Sequence, residues 1–106
     1  MRHRQVNGEE QAMVVGLCTI ELQIPESASL KHKRRVLKSV VSRVRQEFNV
    51  SIAEVDHQDS WQLATLAVVC VSSDARYVQG LLERVVRFIE GARLDLVLLD
   101  YRNELF

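Results

Sequence analysis

Five apolar positions, Leu37, Val40, Val41, Val44 and Phe48, recur 41 residues later as Val78, Leu81, Leu82, Val85 and Ile89. Spacings of three and four put each set on one face of an α-helix. Each helical pattern is flanked by short strand-like runs, so the chain reads as strand-helix-strand twice over. Val14 to Ile24 alternates, with Cys18, Ile20, Leu22 and Ile24 on one side and Thr19, Glu21 and Gln23 on the other, until Pro25 blocks further ladder pairing. Val50 to Val55 and Gln62 to Val71 form a hairpin around Asp56-His57-Gln58-Asp59-Ser60, and Leu94 to Tyr101 supplies the last strand. Ser27 or Ser29 caps the first helix and Asn49 is its expected left-handed stop; Asp74 caps the second, which ends at Gly91. A chain of 106 residues, 47% hydrophobic, buries one modest core and not two. The expected fold is α+β and ferredoxin-like, βαββαβ, with two helices on one face of a four-stranded antiparallel sheet. That single domain spans residues 13–106, and residues 1–12, polar and without hydrophobic period, read as a flexible N-terminal extension.

Two helices cover one face of a sheet. Yet the last strand is apolar at alternate positions of both parities, with Leu94, Leu96 and Leu98 set against Val97, Leu99 and Tyr101. The third strand repeats this, with Leu66, Val68 and Cys70 against Ala67, Val69 and Val71. Something else is expected to cover the open face, and a homodimer packed sheet to sheet is the simplest answer. No apolar run reaches the roughly 18 residues of a membrane-spanning helix, and the N-terminus has no apolar signal core, so a cytoplasmic protein without membrane contact is expected. Cys18 and Cys70 sit inside apolar runs without companion ligands and read as reduced core thiols.

Formal net charge is zero, but residues 29–45 hold seven basic groups and no acidic one. Lys31, Arg35, Lys38 and Arg45 recur along the side of the first helix opposite its apolar stripe, with Lys33 and Arg34 beside them at the helix start and Arg43 further on. Lys33 lies near the core stripe, from which it can reach along the helix end instead. Cations here work against the helix dipole, which favours acids in the first turn by about 0.3–1 kcal/mol each. Free backbone N–H groups with several cations suit a phosphate or other anion. The candidate nucleic-acid-binding residues are therefore Lys31, Lys33, Arg34, Arg35, Lys38 and Arg45. The bland reading is a solvated face whose cations pair with carboxylates of the same domain. With six aromatic residues in the chain and no base-stacking motif, contact with the backbone of structured RNA fits better than base readout.

Chemistry-bearing residues are densest at the hairpin turn, where Glu54, Asp56, His57 and Asp59 suggest a metal-dependent hydrolase as a minor reading. The commoner meaning of such a cluster is turn capping. Trp61, at the start of the third strand, reads as a packing anchor. No glycine-rich phosphate loop, nucleophile elbow, CxxC or HExxH motif is present, so no enzyme, metal or cofactor is expected.

The segments Ser29-Leu30-Lys31-His32-Lys33-Arg34, Phe48-Asn49-Val50-Ser51-Ile52-Ala53-Glu54 and Gln58-Asp59-Ser60-Trp61-Gln62 resemble the YlxP-like family of bacterial proteins, with similarity running from about Met13 to the end. The resemblance implies a ferredoxin-like fold and a bacterial cytoplasmic setting. It names no reaction; the family's genes tend to lie among those for translation initiation and ribosome maturation, which implies ribosome or RNA contact. The rival to an RNA-associated domain is a dimeric protein-interaction or regulatory module that offers the basic helix to an acidic partner or small anionic ligand.

Overall fold

The computed structural model describes residues 13–106, so the expected N-terminal extension lies outside the described residues. The elements run β1 (Val14–Gln23), α1 (Leu30–Glu47), β2 (Ser51–Asp56), β3 (Leu63–Ser72), α2 (Ala75–Glu90) and β4 (Val97–Leu105). The sheet order is β2-β3-β1-β4 with every neighbouring pair antiparallel, which is the ferredoxin-like arrangement. No helix among the described residues is long and apolar enough to cross a membrane.

Both caps follow from residue chemistry. Ser29 Oγ accepts the His32 backbone N–H at 3.0 Å, and Asp74 Oδ1 accepts those of Arg76 and Tyr77. The helix ends depart from expectation. α1 stops at Phe48 in extended backbone, and neither Asn49 nor Gly91 adopts positive φ; among the described residues the one non-glycine residue that does is His57, in the β2–β3 turn.

The core lies between the helices and one sheet face. Cys18, Ile20 and Leu22 of β1, Ile24 just after it, and Ala64, Leu66 and Val68 of β3 meet Val36, Val40 and Val44 of α1 and Val78, Leu82, Val85 and Ile89 of α2. The helices close over one another through Phe48 and Phe88, edge to face at 5.4 Å, and Arg43 lies over the Phe88 ring at the same distance. α2 presses on β1 where Gly16 stands: a Cβ there would collide with Val78 Cγ1, which accounts for glycine in mid-strand.

Two expectations fail on packing. Trp61 is 55% exposed, in the loop ahead of β3, and anchors nothing. The last strand starts three residues later than the apolar run, because Arg93 and Asp95 form a bidentate ion pair in the preceding turn, which leaves Leu94 fully exposed. It then continues through polar residues to Leu105. Glu83 of α2 holds that polar end, accepting from Tyr101 Oη at 3.0 Å and Asn103 Nδ2 at 3.0 Å. The same carboxylate raises the Tyr101 phenol above its ordinary range.

Both cysteines are free and buried, as expected. Burial, aided by the Glu83 charge, pushes the Cys18 thiol from 9.0 up to about 12. The sign follows by linkage. Between these values the unfolded chain loses the thiol proton while the folded chain keeps it, so this contribution to stability is whole below pH 9 and drains away toward pH 12. Urea unfolding across that window is expected to show wild type losing stability relative to Cys18→Ala as pH rises; a constant difference would contradict the assignment.

Candidate nucleic-acid interface

α1 positions every cation singled out in the sequence, but it does not treat them alike. Lys33 is 0% exposed. It falls on the apolar face, three and four residues before the buried Val36 and Leu37, and points toward the sheet. Its Nζ donates to the His57 carbonyl at 2.6 Å and the Leu63 carbonyl at 2.7 Å, and lies 3.0 Å from Glu54 Oε2. The last contact is ionic, without hydrogen-bond alignment. Lys33 is therefore withdrawn from the candidate nucleic-acid-binding set: it is a clip that ties the first turn of α1 to both ends of the β2–β3 turn. Burying an ammonium costs several kcal/mol, which two carbonyls and a carboxylate offset here.

This clip also accounts for the hairpin cluster. Glu54 faces the helices beside Lys33, and the positive φ of His57 accompanies a backbone carbonyl that accepts from both Lys33 and the Ser60 N–H. Asp56 Oδ1 accepts the adjacent His57 backbone N–H, which is turn capping. Among the described residues no three acidic, histidine or cysteine side chains converge as metal ligands.

The remaining cations face water. Lys31, Arg34, Arg35 and Lys38 are all exposed. Each lies three or four residues from two others, so the four make one continuous patch over the first turns of the helix. The ion pairs among the described residues are Lys33–Glu54, Arg93–Asp95 and Arg102–Glu104, and none of them includes a member of this patch. The first turn of α1 contains no acidic residue. Like charges at these spacings each cost about 0.2–0.5 kcal/mol, on top of the unfavourable dipole. Arg45 is exposed but committed, its Nη2 donating to the Ile52 carbonyl at 3.0 Å, and Arg43 donates to the Ala92 carbonyl at 2.9 Å. These two brace α1 against its neighbours and leave Arg45 on the margin of the patch.

Sequence periodicity carried a signal for Lys33. Positions 33, 37, 40 and 44 continue one apolar stripe back by a turn, so a lysine there is a core-face lysine. Its partners were not readable, because the two carbonyls come from residues 24 and 30 positions away.

A family model described as "Protein of unknown function (DUF503)" matches residues 15–103. The protein named "Uncharacterized protein YlxP" of Bacillus subtilis (strain 168) is 40% identical over 78 residues, which cover 74% of this chain and 85% of that one. Among solved structures, the de novo designed protein Foldit4 superposes with a TM-score of 0.52 at 18% identity, over 90% of this chain and 97% of that one, and shares the fold alone.

The clip is tested by removing the charge. Lys33→Met strands Glu54 and two carbonyls and is expected to cost about 3 kcal/mol in urea unfolding. Lys33→Met with Glu54→Leu is expected to recover part of that loss. A single variant as stable as wild type would show that the ammonium holds nothing together.

Proposed function

The chain belongs to the DUF503 family of proteins of unknown function, and from that premise and the surface just described we propose a non-enzymatic domain that binds the phosphate backbone of structured RNA, on the ribosome or a ribosomal precursor, through α1. Lys31, Arg34, Arg35 and Lys38 make the phosphate contacts, and Arg45 extends their reach along the helix. The observation that carries this reading is the unneutralised patch at the positive end of the helix dipole. Four adjacent cations lack a carboxylate among the described residues, while a fifth cation of the same helix, Lys33, has one. Self-neutralisation was the bland alternative, and among the described residues of α1 only Lys33 has a carboxylate partner.

Backbone recognition suits the fold's charge layout. The helices α1 and α2 hold ten lysines and arginines against three glutamates, and the strands hold one arginine against five carboxylates. RNA is drawn to the helix layer and repelled from the sheet. Each phosphate neutralised releases counterions, so affinity falls steeply with salt and depends little on sequence.

With four contacts, log K for structured ribosomal RNA is expected to fall by about 3–4 per tenfold rise in salt. Arg35→Glu with Lys38→Glu is expected to abolish binding while leaving the melting curve near that of wild type. Filter binding across a salt series checks both. Binding that ignores salt, or that survives the double reversal, refutes the proposal, and retention on an acidic protein in place of RNA transfers the patch to the rival reading.

A further inference from the structure

The sheet face turned away from α1 and α2 is uncovered by any described residue. Side chains alternate along a strand, so the residues between the core positions of β1 and β3 share this face. The register sets Val15, Leu17 and Thr19 of β1 directly beside Val71, Val69 and Ala67 of β3, three successive β1–β3 pairs without a charge. Phe106 extends the apolar surface, exchanging both backbone hydrogen bonds with Val15. Val69 is 37% exposed and Val71 61%.

Charges stand around this centre. Glu21, hydrogen-bonded by Thr65 Oγ1 at 2.6 Å, closes one end, with Asp56 and Asp100 in the same row on the edge strands. Arg102 and Glu104 line the β4 edge, opposite Thr19 and Leu17. An apolar centre with a charged rim is the anatomy of a protein interface.

We infer that a second copy of the chain covers this face, sheet against sheet. Shape argues for that occupant. The face belongs to an open four-stranded antiparallel sheet, and two sheets of the same twist stack about 10 Å apart with their strands within about 30° of alignment. Area argues for it too. Strands about 4.8 Å apart, rising about 3.3 Å per residue, offer roughly 600 Å² of projected face, close to the ~800 Å² of accessible surface that each partner gives a stable interface. The rim holds both signs, and in a two-fold interface every contact occurs twice, so Arg102 of each copy can meet a rim carboxylate of the other. The arrangement leaves both basic helices on the outside, and it stands whether or not they bind RNA.

Sedimentation equilibrium of the full chain is expected to give twice the chain mass. Val69→Glu and Val71→Glu, each made singly, are expected to give one chain mass with unchanged circular dichroism. Val71, the more exposed of the two, decides if the Val69 variant loses its fold. A wild type that stays monomeric at every concentration overturns the inference, whether the face is then covered by residues 1–12 or by another protein. A dimer that survives both substitutions overturns the choice of face.

Discussion

A lysine ammonium held under the first turn of α1 sets the geometry on which the rest depends. With Lys33 Nζ fixed by two carbonyls and Glu54, the helix cannot rotate about its axis without stranding a buried charge. At about 100° per residue, Lys31, Arg35 and Lys38 then fall within roughly 40° of the direction opposite Lys33. The residue that looked like a member of the basic patch is what aims the patch at solvent. It also ties β2, an edge strand of six residues, to the helix layer.

From that orientation follows a molecule of zero net charge whose charge is sorted by layer. The helix layer is cationic outside and apolar inside, and the sheet is apolar at its centre and acidic at its rim. Neither outer surface is what stability alone would choose: one crowds like charges at the wrong end of a dipole, and the other leaves valines in water. The two proposals give these surfaces different partners, a phosphate backbone on one side and a like surface on the other, and each is out of the other's way.

The fold was legible because its signals are local and repeated. Two helical stripes, their Ser29 and Asp74 caps and the alternation of β1 all depend on neighbours in sequence. What was not legible rests on long-range contacts. The polar end of β4 stays in the sheet because Glu83 of α2 reaches Tyr101 and Asn103, and its start is delayed by the Arg93–Asp95 pair. Trp61 looked like an anchor, but it stands in the loop ahead of β3 with more than half of its surface exposed. Of the six candidate cations, Lys31, Arg34, Arg35 and Lys38 form one surface, Arg45 is tied to β2, and Lys33 is internal. Helical spacing alone separates Lys33 from the rest, since a cation in register with Leu37, Val40 and Val44 has to be buried with partners.

The division of one helix's cations into an internal clip and an external patch is open to nuclear magnetic resonance of the lysine ammonium and arginine guanidinium groups, which reads both at once. On titration with structured ribosomal RNA at low salt, the side-chain signals of Lys31, Arg34, Arg35 and Lys38 should move, while the Lys33 ammonium, slow to exchange in the free protein, should stay where it is. Shifts confined to the sheet face, or a Lys33 ammonium that exchanges as fast as Lys31, would contradict it.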